Sequence, residues 1–422
     1  MLQRYRLGRK SASDTFERAS ENRGREETLN RFWTVLAAAV LALSVAQTAA
    51  ALDVRTAVLR IDYPQLAPIS RYDLVPEDAG FAGAQLGLED NATTGQFLGH
   101  TFENETVTTT PEEADAAFDA LLADGHTLIV VMANAEDLLR LADRAGDGVL
   151  VVNATAVDNG LRGDQCRANL LHVAPSNAML ADAVAQYAVW KKWPRWFLIH
   201  GSNPPDQALA EAYRASATKF GAQITEEREF EDTGGSRRTD SGHVLVQRQL
   251  PVFTQEAEEH DIVVTADRSD VFAPYVPYHL WTPRPTMGSS GLRPVTFHAS
   301  HEAWGATQFQ RRFEELTGRY VREDDYQVWL SLRVIGEAVT RASTVDPAEL
   351  RDYILSDAFE LAAFKGVAVT FRPWNGQLRQ PILLYDGRIT VSVSPQDGFL
   401  HQTSPLDTMG IDRPESTCTA FN

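Results

Sequence analysis

The chain has 422 residues, with 39 lysines and arginines against 57 aspartates and glutamates, for a net charge of −18. This excess of negative charge argues against nucleic-acid binding, because nothing offsets the repulsion from phosphates. The length is enough for two domains, and the charge is typical of a soluble, exported protein.

The first fifty residues predict export. Arg31 precedes an apolar run over residues 32–46, and small residues follow it. This order is typical of a secretory signal that is cleaved after residue 50 or 51. The alternative is a membrane anchor, but the run is short for a bilayer, which needs about 20 residues. The polar stretch before the signal leaves two starts open, Met1 and a position near Leu29.

Strands and helices alternate along the rest of the chain. Short apolar runs predict strands, and apolar residues at helical spacing, bounded by proline or acids and by glycine, predict helices. The predicted strands cover residues 54–63, 102–109, 127–133, 148–154, 170–176, 195–202, 222–230 and 261–266. The predicted helices cover residues 78–91, 111–125, 134–146, 178–193 and 204–221. The predicted fold class is α/β with two doubly wound parallel-sheet lobes.

The stretch LEDNATTGQFLGH, residues 88–100, allows three interpretations. Asn91 begins a glycan-acceptor triplet, as do Asn104 and Asn153. A calcium loop would need acids at alternate positions and a glutamate at its end, which the stretch lacks. The third interpretation, which we favour, is that the first helix ends between Asn91 and Gly95.

Two cysteines are present, Cys166 and Cys418. In an oxidising compartment an even pair predicts one disulfide, which would tie the C-terminal tail to the middle of the chain. The alternative is two unrelated thiols. The wide spacing excludes a cysteine-rich zinc motif.

The sequence HASHE contains His298, His301 and Glu302. A helical HExxH motif would place two imidazoles on one face, but the order here differs and no third ligand is visible. We therefore predict no metal and no cofactor. A metal-dependent hydrolase that uses these residues is retained only as the weakest alternative function.

Several stretches carry a resemblance to a known family. The stretches GFAGAQLGLEDNATTG (80–95) and RWFLIHGSNPPDQALAEAYRASATKFGAQI (195–224) resemble type I periplasmic substrate-binding proteins of ABC importers, of the leucine/isoleucine/valine-binding type. The stretches GLEDNATTGQFLGH, RRTDSGHVLVQRQLPVFTQ (237–255) and DRPESTC (412–418) are similar to the subgroup associated with PQQ-dependent alcohol dehydrogenase systems. The resemblance covers residues 52–422.

The resemblance implies two lobes joined by three crossovers, which close over a ligand by a hinge motion. It implies no catalysis, a periplasmic monomer, a small-molecule ligand and an ABC permease in the inner membrane as partners. The expected parts are an extension with signal peptide (1–51), an N-terminal lobe (52–172 with 300–368), a C-terminal lobe (173–299 with 369–400) and a tail (401–422).

The candidate ligand-binding residues follow the ends of predicted strands, where open α/β sheets bind ligands. In the N-terminal lobe they are Tyr63, Asn134, Asn153 and Thr155. In the C-terminal lobe they are Ser202, Arg237, Arg238, Asp267, Ser289 and Ser290.

The ligand expected from these residues differs from that of the family. Amino-acid binders of the family hold a carboxylate with hydroxyl groups and helix N-terminal amides, and an ammonium with an acid and an aromatic residue. Here residues 133–135 contain no serine, and Ser289 and Ser290 replace the acid, which argues against a generic amino acid. The pair Arg237 and Arg238 instead predicts a carboxylate ligand. The alternative is a solvated loop with ion pairs.

Three functions follow. The first is a periplasmic solute-binding component of an ABC transporter, linked to PQQ-dependent alcohol oxidation. The second is a sensor or accessory protein of the alcohol-oxidising system without a transport role. The third is the hydrolase already mentioned.

Overall fold

The computed structural model describes residues 51–421, apart from 65–67, 69, 71–72 and 234–241, and it describes residues 242–244 by their backbone alone. The predicted signal peptide lies almost wholly outside the described residues. Within the described part of the chain, no helix combines the length and the hydropathy of a membrane-spanning segment.

The first sheet has five parallel strands in the order β2-β1-β3-β4-β5. Every residue of its central apolar run, LIVVM, is buried, because helices cover both faces of the sheet. The strands are β1 (Asp53–Ile61), β2 (Thr101–Thr109), β3 (Leu128–Met132), β4 (Leu150–Asn153) and β5 (Leu170–His172). The helices between them are α1 (Phe81–Gly95), α2 (Ala114–Ala123) and α3 (Ala135–Ala145).

The second sheet has four parallel strands in the order β7-β6-β8-β9. The strands are β6 (Arg195–Gly201), β7 (Gln223–Phe230), β8 (Ile262–Ala266) and β9 (Thr286–Gly288). The helices are α4 (Asn177–Trp190), α5 (Pro204–Phe220), α6 (Gly242–Phe253) and α7 (Val276–His279). Helix α5 begins with two prolines and ends at Gly221 in the left-handed conformation, φ 74°, as its sequence predicts.

The remaining helices and strands pack around the two parallel sheets. They are β10 (Arg293–Val295), α8 (Ala306–Thr317), α9 (Glu323–Ala342), α10 (Pro347–Ile354), β11 (Leu361–Ala362), β12 (Ala368–Phe371), β13 (Leu378–Arg379), β14 (Ile382–Tyr385) and β15 (Thr390–Ser394). Helix α9 packs closely on α1, since a Cβ added at Gly83 would lie 1.9 Å from the Asp325 carbonyl oxygen. Strands β10, β14 and β15 form an antiparallel sheet against α4, and β11, β12 and β13 form another.

Each parallel sheet has a hydrophobic core on each of its two faces. The first core is the one on the first sheet that contains Val173 and Phe297, and the second core is the one on the second sheet that contains Met179 and Met287. The chain passes between the first and second cores three times. These passages lie between Val173 and Met179, between Met287 and Phe297, and between Leu378 and Ile382. The third passage comes later than the expected boundary at 368/369, because β12 and β13 still pack in the first core. The predicted fold class, α/β with two doubly wound parallel-sheet lobes, is confirmed.

The stretch 88–100 ends a helix, because α1 stops at Gly95 and a turn follows. Asn91 is buried, and its side-chain amide donates to the Leu332 carbonyl at 2.8 Å. Asn153 is fully buried as well. Neither asparagine is accessible to a glycosylating enzyme in the folded protein.

The C-terminal tail, residues 401–422, is held by a disulfide to Cys166 and by burial in the second core. Cys166 and Cys418 form a disulfide with a Cα–Cα distance of 5.6 Å, as the even cysteine count predicts. Earlier in the tail, Met409 is buried in the second core. The buried Asp407 accepts hydrogen bonds from Arg372 and Arg379.

Candidate functional site

A cleft of about 650 Å³ lies at the carboxyl ends of β1, β3 and β4. Neighbouring parallel strands bring these ends to one edge of the sheet, where open α/β sheets bind ligands. The cleft is lined by Arg60, Ile61, Asp62, Tyr63, Val75, Pro76, Glu77, Ala79, Met132, Ala133, Asn134, Thr155, Ala156, Val157, Asp158 and Asp324. Three predicted site residues, Tyr63, Asn134 and Thr155, are among them.

Tyr63 and Asn134 form a hydrogen-bonded group at the start of α3. The Tyr63 hydroxyl donates to Asp137 Oδ2 at 2.5 Å and accepts the Asn134 N–H at 3.1 Å. The Asn134 side chain caps the helix by accepting the Asp137 N–H at 2.9 Å. Burial and the bond to Asp137 both raise the pKa of Tyr63, so its hydroxyl stays protonated.

The turn after β4 is built on Asn153. This side chain lies beneath the cleft surface, where its Oδ1 accepts the N–H groups of Thr155 and Ala156 at 3.1 and 2.8 Å. The Thr155 hydroxyl donates to the Ala133 carbonyl at 3.1 Å. Asn153 therefore shapes the turn from below, while Thr155 lines the cleft.

The cleft wall combines apolar side chains with an excess of negative charge. Its acids are Asp62, Glu77, Asp158 and Asp324, and its only described base is Arg60. Arg60 pairs with Asp62 at 2.8 Å and donates to the Glu77 carbonyl. The wall as described is therefore net negative.

Asp324 is an acid of this wall whose pKa is shifted by its surroundings. Its pKa is raised to about 6, first by desolvation and then by the like charges of Glu323 and Asp325. A carboxyl group in an unfavourable position beside a cleft is a candidate functional group. The sequence REDDY did not indicate this role, because acids in a first helical turn are explained by the helix dipole.

Asp267 and Ser289 follow strands of the second sheet but do not line the described cleft. The Asp267 carboxylate accepts the N–H groups of Val271, Phe272 and Ala273 at 2.7–2.9 Å. The Ser289 hydroxyl accepts the Asp267 N–H at 2.8 Å. Both side chains hold the loop after β8 in place.

Ser202 and Ser290 are also outside the cleft lining and bonded to their own lobe. The Ser202 hydroxyl accepts the Asp232 N–H at 3.0 Å. The N–H of Ser290 donates to the Thr265 hydroxyl at 3.2 Å. Arg237 and Arg238 lie outside the described residues.

Arg268 is an exposed basic residue of the second sheet that the sequence did not single out, and it is not among the described cleft-lining residues. It follows β8, and its side chain reaches solvent while donating to Asn177 Oδ1 at 2.6 Å. Its charge interacts with those of Asp158 in the cleft wall and Glu323 at the start of α9. A basic residue at a strand end of an acidic chain was the available signal.

The two histidines of HASHE share one hydrogen-bond partner and are not arranged as metal ligands. His298 Nε2 and His301 Nδ1 lie 3.0 and 3.1 Å from the same Thr390 hydroxyl. Across residues 51–421, apart from the gaps, no group of three histidine, cysteine or acidic side chains is placed to hold a metal.

Comparisons with known proteins agree with this geometry. Residues 76–241 match the model of a family described as periplasmic binding protein. No curated protein sequence matches the chain. Among solved structures, a branched-chain amino acid ABC transporter periplasmic ligand-binding protein from Burkholderia xenovorans LB400 is 18% identical. Its TM-score is 0.66, and the match covers 87% of this chain and 100% of that one.

Two ligand complexes are similar as well. A solute-binding protein from R. palustris with benzoate is 11% identical, with a TM-score of 0.60 and coverage of 87% and 99%. A substrate-binding protein from Desulfitobacterium hafniense with Leu is 16% identical, with a TM-score of 0.58 and coverage of 80% and 98%. The likeness to these structures shows that the chain has the type I periplasmic binding protein fold.

Proposed function

We propose that the chain is the periplasmic solute-binding component of an ABC importer and that it binds a small organic solute in the cleft. The observation that carries this function is the 650 Å³ cleft at the carboxyl ends of β1, β3 and β4. Arg268 of the second sheet interacts electrostatically with Asp158 of the cleft wall. The matching family and the similar structures support the same function.

Closure of two lobes would complete the site. The two lobes would be built around the first and second cores, and the packing of β12 and β13 in the first core supports a third crossover after Leu378. In an open form, a ligand first meets one lobe, and hinge rotation then brings the other lobe onto it. Ser202 and Ser289 would approach the ligand in this step, and Arg237 and Arg238 remain proposed ligand-binding residues.

The charges of the cleft constrain the ligand. An apolar and acidic wall favours a solute with an apolar body and a positively charged or hydrogen-bond-donating group on the N-terminal lobe side. A carboxylate on the same solute would face Arg268, or Arg237 and Arg238, because paired guanidinium groups suit carboxylates. The similar branched-chain amino acid ligand-binding protein and the similar complexes with Leu and benzoate support ligands of this size.

The biological setting is part of the proposal. The stretches at 88–100, 237–255 and 412–418 support a link to PQQ-dependent alcohol oxidation. After cleavage of the signal, the monomer would deliver its solute to a permease in the inner membrane. The second candidate, a sensor or accessory protein without a permease, keeps the same cleft, and co-purification with the permease would separate the two.

A thermal-shift panel tests this function. It should contain leucine, valine, benzoate, short alcohols and their acids, and PQQ, with the protein purified from the periplasm. A ligand at about 100 times its dissociation constant stabilises the fold by roughly 2.7 kcal/mol.

We expect at least one organic member to raise the melting temperature, and Arg268→Ala to reduce that shift. Washing with chelator should leave the shift unchanged, whereas a hydrolase with a metal at HASHE would lose it. A panel in which no member stabilises the wild type would contradict the proposal.

A further inference from the structure

Arg162 is a buried guanidinium directly beneath the cleft. Only 1% of the residue is exposed, and it follows the cleft turn in a short 3-10 helix, Asn159–Arg162. Its Nη1 donates to the carbonyls of Ala156 and Asp158, both at 3.0 Å. Both of these residues line the cleft, whereas Arg162 itself does not.

The other bonds of Arg162 lead to two of the passages between the cores. Its Nη2 donates to the Ala174 carbonyl at 2.7 Å, on the first passage. Its Nε donates to Gln377 Oε1 at 2.7 Å, immediately before the third. The Gln377 amide in turn donates to the carbonyls of His172 and Ala174. One side chain thus joins a wall of the cleft to both connecting segments.

A buried cation is costly unless its hydrogen bonds are satisfied, and no carboxylate in the described part of the chain accepts from Arg162. Burial lowers its pKa to about 9, so the group is still charged at neutral pH. The nearby negative charge that opposes this shift is Asp158 of the cleft wall. A neutral side chain would fill this position at a lower cost, so packing alone does not explain the arginine.

Arg162 and Asn153 together set the direction of a peptide group in the turn, because the Ala156 carbonyl accepts from Arg162 Nη1 and also from Asn153 Nδ2 at 2.8 Å. Because the peptide unit is planar and trans, its carbonyl and N–H point in opposite directions. The Ala156 carbonyl points to Arg162, so the Val157 N–H points away from it. No group among the described residues accepts this N–H, and the Val157 carbonyl accepts the Asn177 N–H at 2.7 Å.

We propose that Arg162 is a positioning residue for solute binding, which holds the cleft turn 155–158 against the two connecting segments without touching the solute. The inference rests on the proposed function for its effect on binding. Its effect on the turn stands independently of the solute. During hinge rotation, the turn 155–158 would then move together with the two connecting segments.

The test compares Arg162→Lys with Arg372→Lys in the full chain purified from the periplasm. Lysine keeps the charge but loses the planar fork of donors. Arg372 is a matched control, since it is equally buried but bonds to Asp407 and to the Leu406 carbonyl, away from the cleft lining. Gln377→Leu is a milder second variant, which removes one acceptor of Arg162 and keeps the two cleft carbonyls.

Two quantities are measured, namely amide hydrogen exchange in peptides covering residues 154–160 and the molar amount of small molecule that co-purifies. We expect Arg162→Lys to speed exchange in this segment at least tenfold and to reduce retention about tenfold. Gln377→Leu should change both in the same direction, and Arg372→Lys should change neither. If Arg162→Lys does not fold, Gln377→Leu decides by the same criteria.

Unchanged exchange in residues 154–160 would overturn the positioning role. Faster exchange with full retention would overturn its importance for binding. If the wild type retains no small molecule, the proposed function fails on its own account, while the exchange measurement still decides whether Arg162 holds the turn.

Discussion

The Tyr63 hydroxyl donates a 2.5 Å hydrogen bond to the Asp137 carboxylate, joining the chain after β1 to the first turn of α3. The same oxygen accepts the Asn134 N–H. One phenol therefore connects two of the three strand ends that form the cleft wall. This link keeps that part of the wall rigid before any solute arrives.

Tyr63→Phe should lower the free energy of unfolding by about 1.5–3 kcal/mol, because the lost hydrogen bond has a charged acceptor. Denaturant unfolding measures the change. The control is Tyr278→Phe, since Tyr278 is 85% exposed and the substitution there should have little effect. Equal losses in the two variants would contradict a structural role for the Tyr63 hydroxyl.

Replacing both cysteines, Cys166→Ser with Cys418→Ser, should destabilise the fold by about 3–5 kcal/mol, because the disulfide closes a very long loop in the unfolded chain. Thermal and denaturant unfolding measure this loss. Reducing agent should destabilise the wild type and leave the double variant unchanged. A wild type that is indifferent to full reduction would contradict this expectation.

Because of Lys365, the free energy of unfolding should change with pH in the alkaline range. Its ammonium is buried against the Pro381 carbonyl at 3.2 Å and the Thr296 carbonyl, and desolvation lowers its pKa to about 7, partly offset by Glu323. Between about pH 7 and its ordinary value of 10.5, the unfolded chain binds the proton and the folded chain does not. Stability therefore rises with pH in this window, by up to about 1.4 kcal/mol per unit.

The measurement for Lys365 is the free energy of unfolding at several pH values from 7.5 to 9.5. Lys365→Met lacks the titrating group. The free energy of unfolding of the wild type should therefore rise with pH relative to that of the variant. This window stays above the lowered pKa values of the nearby His298 and His301. Parallel curves for the two proteins would show that Lys365 does not titrate as described.

Asp324→Asn should stabilise the protein at pH 7.5 by about 1 kcal/mol, after allowance for solvent screening. The folded-state pKa of about 6 lies above the ordinary 3.8, so the stability that this group contributes at low pH is lost as the pH rises through 6. The gain from asparagine should therefore shrink at pH 5. Melting temperatures at pH 7.5 and pH 5 measure this gain, and Asp397→Asn, at an exposed position, is the control. A gain in stability that does not depend on pH would contradict the raised pKa of Asp324.

The order of strands and helices could be predicted from the sequence because each buried strand is a short apolar run and each helix has clear ends. The run LIVVM and the helix from Pro204 to Phe220 are examples, and both are observed as predicted. Which face of α1 is buried depends on its packing against α9. Phe81 and Leu88 are only partly buried, because Gly83 and Gly87 allow α9 to approach along the other side.

The strand ends could be located from the sequence, but it did not tell which residues near them line the cleft. Tyr63, Asn134 and Thr155 line it, whereas Ser202, Asp267 and Ser289, which directly follow strands, do not. Asp324 comes from a helix far along the chain, and Arg162 acts through carbonyls that its own sequence does not identify. Contacts of this kind depend on how distant segments pack, which local patterns do not encode.

Mass spectrometry of the small molecules released from protein gently purified from the periplasm shows whether the cleft holds an organic solute. We expect one organic solute, close to one per chain, whose amount falls in the Arg268→Ala variant. A wild-type protein that releases no organic solute, under conditions in which a related solute binder retains its ligand, would contradict it.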